Sequence, residues 1–589
     1  MTTRAGMLIA AGALVAGTVT VLPASAAGTG EPTPRPLPPL SWTACGTQAY
    51  PRLQCATLKV PLNHDDPAGR SITLALTRVP HTAATSLGPL LVNPGGPGGS
   101  GRGMAGYVAS SLPAEVAAQY DVIGFDPRGV GRSEPALDCR PGHFDPVRPD
   151  SVPRGTDAER TALERAQAFA AACGKKHADV LPYIDTVSTA RDLDLIRKAL
   201  GAERINYLGY SYGTYLGAVY ARLHPERVGR MALDSVVNPN GVWYEDNIAQ
   251  DYAFDTRHKD FMAWVAKHSA VYKLGEDPAA VEAAWYRMRE ELRDSPAGGK
   301  VGPGELEDTF LPGGYYDGYW PKLATAFSAY VNEGDPAPLK AAYERYGEAD
   351  SAADNGYSVY TAVQCRDAAW PKDWNVWRKD NWEVHAKAPF STWNNAWYNA
   401  PCAFWPVAPL TPPEVSNDQL PPVLILQATD DAATPYEGGL ALHRMLRGSS
   451  LVVEQGGGNH GVTLAGNDCL DKHLSTYLAT GTVPRATGTS EVDAVCAALP
   501  APEPDPVPAT PKTTPKTTGK AAGKAAGKAS GEAAEETAPE TAGEAVEKAG
   551  EAAEAAPEPA TKVAAVPNRS ATRVPPAGTT LHGLLGHVR

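Results

Sequence analysis

A serine flanked by glycines is the strongest sign of chemistry in the sequence. The residues Gly-Tyr-Ser-Tyr-Gly at 209–213 lie between an apolar run at 205–208 and a helical pattern that begins at Tyr212. A serine in such a strand-to-helix turn takes a strained backbone conformation that needs small neighbours, and its hydroxyl projects at the tip. The helix that follows presents its amino end to developing negative charge. The pattern predicts that Ser211 is a nucleophile for acyl transfer.

Such a nucleophile needs a base, and the base needs a carboxylate that orients it. In this architecture the acid and then the base follow the serine along the chain, each after a strand. The apolar run at 423–427 leads to Asp430 and Asp431, and the run at 451–454 leads through three glycines to His460. Asp431 has the better spacing from the strand and from the Thr-Pro pair beyond it. The other late histidines are interpreted as surface residues: His443, His473, His582 and His587.

Acyl transfer also needs hydrogen-bond donors for the oxyanion. One is predicted to be the backbone N–H of Tyr212, which follows the nucleophile, and the other should come from the loop after residues 89–93. That loop is glycine-rich, and Gly96 is the predicted donor. A phosphate cradle is the alternative, but the loop has neither the GxGxxG register nor a Gly-Lys-Ser/Thr sequence. We therefore expect no cofactor and no metal.

Strands and helices alternate along the folded part of the chain. Helical patterns at 192–200 and 212–224 separate apolar runs bounded by glycine or proline, as in strands buried on both faces. Alternation of this kind predicts an α/β fold with a mostly parallel central sheet. The predicted strands are 54–62, 72–79, 89–93, 122–126, 205–208, 230–236, 423–427 and 451–454.

The series of strands is interrupted once, and this divides the chain. Residues 27–236 and 421–498 are predicted to form the two parts of the core, and 237–420 a large helical lid insertion that holds all but one of the 12 Trp. Residues 499–589 are rich in Pro, Ala, Gly, Lys, Glu and Thr, which predicts a disordered, low-complexity C-terminal tail. Its lysine block could bind anionic cell-wall polymers weakly, or the tail could be a solvated spacer.

The N-terminal residues indicate where the protein is located. Arg4, an apolar stretch and a small-residue site predict a signal peptide at 1–26 and a secreted, extracellular protein; a membrane anchor is the alternative. Exported cysteines usually pair. Each cysteine and its neighbour in sequence bracket a short excursion, whereas CxxC spacing for redox or metal chemistry is absent. Although eight cysteines allow 105 pairings, we predict Cys45–Cys55, Cys139–Cys173, Cys365–Cys402 and Cys469–Cys496.

Composition excludes several classes of protein. The chain has 589 residues, of which 43% are hydrophobic and 20% charged, as in ordinary globular proteins. Its net charge of −13 argues against a protein whose main partner is a nucleic acid. A monomer is expected.

Four motifs together resemble one family. Asn-Pro-Gly-Gly-Pro-Gly at 93–98, Asp-Pro-Arg-Gly at 126–129, Gly-Tyr-Ser-Tyr-Gly-Thr at 209–214 and Asp-Ala-Ala-Thr-Pro at 431–435 are similar to the secreted tripeptidyl aminopeptidases of actinomycetes. These are α/β-hydrolases of the prolyl-aminopeptidase-like group. The resemblance covers about residues 42–496 and implies a serine exopeptidase that releases short peptides, tripeptides foremost, from free N-termini of peptides or proteins. The long tail departs from the family pattern.

An aminopeptidase must also hold the ammonium group of its substrate. Glu245, Asp246 and Asp367 are the candidate carboxylates, all within the predicted lid.

Two other functions stay open. The same machinery would serve a carboxylesterase, and an inert hydrolase fold could act as a cell-wall-associated binding protein.

Overall fold

The computed structural model describes residues 39–487 and 490–505 of the chain. The signal peptide predicted at 1–26 lies outside the described residues, and so does the predicted tail from 506 onward. None of the described helices combines the length and the hydrophobicity that are needed to cross a bilayer.

In the described residues, one sheet contains ten strands in the order β1-β2-β3-β5-β4-β6-β7-β8-β9-β10. The pairs β1–β2, β2–β3 and β3–β5 are antiparallel, and the others are parallel. Strands β4, β6 and β8 are buried along their whole length, which explains their continuous apolar sequences. The strands are β1 (Thr43–Ala44), β2 (Gln54–Pro61), β3 (Ser71–Val79), β4 (Pro89–Asn93), β5 (Asp121–Asp126), β6 (Ile205–Tyr210), β7 (Val228–Asp234), β8 (Val423–Ala428), β9 (Ser450–Gln455) and β10 (Ala494–Ala497).

All eight predicted strands are present, and two short edge strands, β1 and β10, are additional. They are too short for a hydrophobic pattern to reveal them. Because the register sets Asn93 beside Gly209, Tyr210 beside Asp234 and Asp234 beside Leu426, the carboxyl ends of the parallel strands lie level. The loops after these strands therefore meet at one edge of the sheet.

Helices cover the sheet and form the insertion. Those before the insertion are α1 (Arg102–Ser111), α2 (Ala114–Ala117), α3 (Thr156–His177), α4 (Thr186–Ala199) and α5 (Tyr212–Leu223). Those of the insertion are α6 (Tyr244–Lys267), α7 (Ser269–Tyr272), α8 (Pro278–Asp294), α9 (Pro303–Phe310), α10 (Pro312–Tyr315), α11 (Trp320–Glu333), α12 (Ala337–Tyr346), α13 (Ser351–Asp367), α14 (Trp374–His385) and α15 (Thr392–Asn399). The last are α16 (Glu437–Met445) and α17 (Asp468–Thr480), and short 3-10 turns occupy Leu181–Tyr183, Pro225–Arg227, Asp317–Tyr319 and Ala400–Phe404.

The insertion packs in two different ways. Side chains such as Phe261, Trp285 and Phe327 form a hydrophobic cluster of their own. By contrast, Tyr357 and Val363 of α13 belong to the cluster that covers one face of the sheet. The second half of the insertion is thus part of the core, because it shares that buried apolar surface. The arrangement is an α/β-hydrolase fold, which confirms the predicted fold class.

The structure pairs the cysteines as neighbours in sequence. The disulfides are Cys45–Cys55, Cys139–Cys173, Cys365–Cys402 and Cys469–Cys496. Cys365–Cys402 joins α13 to the 3-10 turn that ends the helical part of the insertion. Cys469–Cys496 joins α17 to the edge strand β10.

The first residues of the predicted tail lie against the insertion. Trp264 Nε1 donates a hydrogen bond to the carbonyl oxygen of Pro502 at 2.9 Å. Lys322 and Asp505 form an ion pair at 2.8 Å. The low-complexity tail predicted from residue 499 therefore begins with a segment, 499–505, that packs on the folded protein. Composition could not reveal this, since the contacts are made by a carbonyl group and one carboxylate.

Candidate active site

Ser211 occupies a strained turn between β6 and α5. Its φ of 56° lies in the left-handed region, which only a tightly determined site sustains for a residue with a side chain. A Cβ at Gly209 would lie 2.5 Å from the carbonyl oxygen of Gly213, and one at Gly213 would lie 2.8 Å from Oδ1 of Asn93. The two flanking glycines are therefore required by close approach of the backbone. The serine is half-buried and lines a cavity of about 410 Å³.

His460 and Asp431 contact each other in the loops after β9 and β8. Nδ1 of His460 lies 2.9 Å from Oδ2 and 3.1 Å from Oδ1 of Asp431. The carboxylate also accepts hydrogen bonds from the backbone N–H groups of Ala433 (2.9 Å) and Thr434 (3.1 Å). Asp430 is exposed and does not take this place. The contact leaves Nε2 of His460 as the ring nitrogen that is available to a serine.

Ser211 and His460 line the same cavity. No hydrogen bond joins the hydroxyl to the imidazole within the described part of the chain. Hydrogen bonds of this kind are often long in substrate-free enzymes and tighten in the Michaelis complex. The three side chains thus lie at one edge of the sheet, with the acid and the base in direct contact.

The predicted oxyanion donors flank the serine. Gly96 and Tyr212 both line the cavity with Ser211. A Cβ on the preceding Gly95 would lie 2.8 Å from Cβ of Ser211 and 2.9 Å from N of Tyr212. The glycine-rich loop therefore passes directly over Ser211. Tyr212 is the first residue of α5, whose leading N–H groups have no partner within the helix.

Asp234, which we did not single out from the sequence, holds the loop that carries the histidine. We call residues 456–463 the histidine loop. Asp234, the last residue of β7, accepts hydrogen bonds from the N–H groups of Val462 (2.9 Å) and Thr463 (2.8 Å). Burial raises the pKa of Asp234 to about 6, against the opposite effect of these donors. A polar residue at the carboxyl end of a buried parallel strand is the signal that could have identified it.

Of the three candidate carboxylates for the substrate amine, only Asp246 lies in the cavity. Glu245 is exposed and does not line the cavity. Asp367 is buried and does not line the cavity. It accepts hydrogen bonds from N (2.8 Å) and Oγ1 (2.5 Å) of Thr186, and burial raises its pKa to about 7. The predictions for Glu245 and Asp367 are thus corrected, because neither carboxylate reaches the cavity.

The Asp246 carboxylate has an unusual environment. Its Oδ2 atom is buried and makes no hydrogen bond with any described residue, and no described Lys, Arg or His forms an ion pair with it. Burial, and secondarily the charge of Glu245, raise its pKa well above the ordinary value. By contrast, Asp308 in the same cavity forms an ion pair with Arg148. Among the described residues, Asp246 and Glu437 are the cavity-lining acids without an ion pair, and Glu437 is exposed to solvent, so Asp246 is the one whose unbalanced carboxylate is buried.

The insertion supplies most of the cavity wall. Trp243, Phe254, Tyr315 and Tyr360 line it together with polar amides such as Asn395. Of the described tryptophans, only Trp243 lines the cavity. The remaining tryptophans pack within the insertion or against the core.

One group of side chains in the described residues is close enough to share a metal ion. It comprises Cys469, His473 and Cys496. The two cysteines form a disulfide, so neither offers a thiolate. The group does not fit a metal site in this state.

Comparisons with known proteins agree with this geometry. A family model described as "TAP-like protein" matches residues 388–496, the part that includes Asp431 and His460. The chain is 44% identical to a tripeptidyl aminopeptidase of Streptomyces coelicolor, over 79% of this chain and 87% of that protein. It is 34% identical to the serine protease Hip1 of Mycobacterium tuberculosis, over 76% of this chain and 90% of that protein. It is also 33% identical to carboxylesterase B of the same organism, over 81% of this chain and 96% of that protein.

Proposed function

Because the chain belongs to the tripeptidyl aminopeptidase family of α/β-hydrolases, we propose that it is a secreted exopeptidase that releases tripeptides from free N-termini. The chain is a serine hydrolase of the aminopeptidase type. The observation that carries the proposal is a single cavity that contains both Ser211 and the unbalanced carboxylate of Asp246. An attacking hydroxyl and an anionic anchor in one cleft suit a peptide held by its amino end.

In the proposed mechanism, Oγ of Ser211 attacks the scissile carbonyl carbon while Nε2 of His460 takes the hydroxyl proton. Asp431 keeps the proton of the ring on Nδ1 and stabilises the imidazolium that forms. The N–H groups of Gly96 and Tyr212 donate hydrogen bonds to the oxyanion. When the tetrahedral intermediate collapses, the C–N bond breaks and His460 gives its proton to the departing amine.

Water completes the cycle. It attacks the ester carbonyl of the acyl-enzyme while His460 again accepts a proton. The second tetrahedral intermediate then releases the short peptide with a free carboxylate, and the proton returns to Ser211. The products are the N-terminal peptide and the shortened substrate, so that one peptide bond is hydrolysed in each turnover.

Asp246 is the proposed anchor for the substrate ammonium. A protonated amine brings the positive charge and the donors that its Oδ2 atom lacks. Asp308 is a weaker candidate because Arg148 already neutralises it. The distance between the anchor and the nucleophile would then set how many residues are removed, since the amino end and the scissile bond are held at two fixed points.

The test uses a tripeptide anilide with a free or an acetylated amino end. The wild type should hydrolyse the free-amine substrate with a kcat/KM about 10- to 100-fold higher than the acetylated one, as expected for a lost charge-assisted interaction. Asp246→Asn should remove this preference, whereas Glu245→Gln, the matched change on the adjacent exposed residue, should keep it. Equal rates on both substrates would overturn the exopeptidase proposal.

A carboxylesterase is the second candidate, because the same machinery attacks esters and one relative has that name. An acyl ester without an amino group should then be a better substrate than any peptide. An inert wall-binding protein would instead fail to react with a fluorophosphonate. The enzyme should label at Ser211, and Ser211→Ala should not label.

Export is part of the proposal. Four disulfides suit an oxidising compartment, and the first 26 residues have the pattern of a signal peptide. Detection of the protein, cleaved near residue 26, in the culture medium of the native host would support secretion. Retention of the uncleaved chain with cells would contradict it.

A further inference from the structure

The histidine loop is bound on its other side by the helical insertion. The backbone N–H of His460 donates to the carbonyl oxygen of Tyr315 at 2.8 Å. The N–H of Asp317 donates to Oδ1 of Asn459 at 2.9 Å, and Nδ2 of Asn459 donates in return to Oδ1 of Asp317 at 3.2 Å. Asn459 and Asp317 thus form a reciprocal pair directly beside the proposed base.

The loop has little side-chain structure of its own to hold it. Residues 456–458 are glycines, and two of them are closely packed: a Cβ at Gly457 would overlap the carboxylate of Glu454, and one at Gly458 would overlap the guanidinium of Arg257. A glycine segment gains rigidity only from its neighbours, since its backbone is the most permissive. Core residues hold the loop at Gly456 and Gly457, and the contacts with Tyr315 and Asp317 hold it at residues 459–460.

The Asp317 carboxylate is buried and lies near a cation. Burial raises the pKa of Asp317, while its hydrogen bond from Asn459 and the charge of Arg257 act in the opposite direction. The Arg257 guanidinium, which belongs to α6, lies 4.9 Å from the ring of Trp320. The insertion therefore contacts two consecutive residues of the loop, Gly458 through Arg257 and Asn459 through Asp317.

We propose that Asn459 and Asp317 are positioning residues that couple docking of the insertion to the orientation of the His460 imidazole. The inference rests on the proposed role of His460 as the base. The core holds the loop at Gly461 through Ser235 and at Val462 and Thr463 through Asp234. The hydrogen bonds to the Asn459 side chain and to the backbone N–H of His460 come instead from the insertion. The Asn459–Asp317 pair supports the loop at this point and directs Nε2 toward the serine.

The experiment exchanges the two polar groups. In Asn459→Asp, two carboxylates face each other and the Nδ2 donor is lost. In the double variant N459D/D317N, the N–H of residue 317 still finds an oxygen and the new amide donates to the new carboxylate, with the total charge unchanged. The single variant should lower kcat and the rate of fluorophosphonate labelling about 10- to 100-fold, with KM nearly unchanged. The double variant should restore both to within about 3-fold.

A matched control separates positioning from folding. Asn332→Asp makes the same chemical change in α11 of the insertion, where Nδ2 of Asn332 donates to the carbonyl oxygen of Tyr272 at 3.0 Å. It should leave kcat and labelling unchanged. The Tm of each variant shows whether the fold is kept. A single variant that labels at the wild-type rate, or a double variant that recovers Tm but not labelling, would overturn the proposal.

The labelling readout also separates this inference from the proposed function. If the wild type labels but does not prefer free-amine peptides, only the exopeptidase proposal fails, and the labelling rates of the variants still decide the role of Asn459. If the wild type does not label at all, both proposals fail together.

Discussion

Nδ1 of His460 lies 2.9 Å from Oδ2 of Asp431, and both side chains are almost completely buried. A buried carboxylate in this contact fixes the ring tautomer and favours the imidazolium that forms when the base takes a proton. The two residues are 29 positions apart and meet because β8 and β9 are adjacent parallel strands.

Replacement of the acid should affect chemistry far more than binding. Asp431→Asn keeps the size of the side chain but offers an amide that favours the wrong tautomer of His460. We expect kcat on a tripeptide anilide to fall about 10³- to 10⁴-fold. Asp430→Asn, the same change on the exposed neighbour, should have no effect. Comparable losses in the two variants would contradict the assignment of Asp431.

Binding of the substrate amine should depend on pH through Asp246. Its pKa is raised by burial, so the carboxylate becomes protonated at a higher pH than an ordinary Asp and loses the charge that attracts the ammonium. KM of the free-amine substrate should therefore rise as the pH is lowered. In Asp246→Asn, KM should be high at every pH. A KM profile shared by the wild type and this variant would exclude Asp246 as the anchor.

Removal of Asp234 should unfold or loosen the histidine loop. Asp234→Ala leaves the buried N–H groups of Val462 and Thr463 without acceptors, at a cost of about 1–3 kcal/mol for each. Asp430→Ala is the exposed control. Thermal unfolding monitored by circular dichroism should show a lower Tm only for Asp234→Ala, and labelling of Ser211 should slow.

The pH dependence of stability has a defined sign at the same residue. Because burial raises the pKa of Asp234 to about 6, its protonated form favours folding, and this contribution is lost as the pH rises through about 6. The wild type should therefore lose more unfolding free energy than Asp234→Ala between pH 5 and pH 8. Chemical denaturation at the two pH values measures the difference. An equal loss in both proteins would mean that the Asp234 pKa is not raised in the folded state.

Two truncations should separate the tail from the segment that precedes it. A chain that ends at Asp505 should keep the Tm and kcat of the full chain. A chain that ends at residue 498 loses the hydrogen bond that the indole N–H of Trp264 donates to Pro502, and should lose about 0.5–1.5 kcal/mol of stability. The surface ion pair of Lys322 and Asp505 adds little. Equal Tm values for the two truncations would show that residues 499–505 do not contribute to the stability of the folded protein.

Much of the candidate site could be predicted from the sequence because it depends on local patterns. Ser211, Asp431 and His460 each follow a short apolar run, and parallel strands bring their carboxyl ends to one edge of the sheet. The glycines around Ser211 and in the loop at 93–101 report close backbone approach, which needs no knowledge of distant residues. The comparisons with known proteins confirm the predicted α/β-hydrolase fold and the predicted family.

The contribution of the insertion could not be predicted in the same way. Glu245 and Asp246 are neighbours on α6, and a helix turns by about 100° per residue, so only the packing of α6 decides which carboxylate enters the cavity. The contact between Asp317 and Asn459 joins positions 142 residues apart. The sequence alone thus determined the strands at this edge of the sheet and predicted the nucleophile, the acid and the base that follow them, since these depend on periodicity and turn chemistry. Only the tertiary structure decided which insertion residues face them, because that depends on how some 180 residues of helix pack on the sheet.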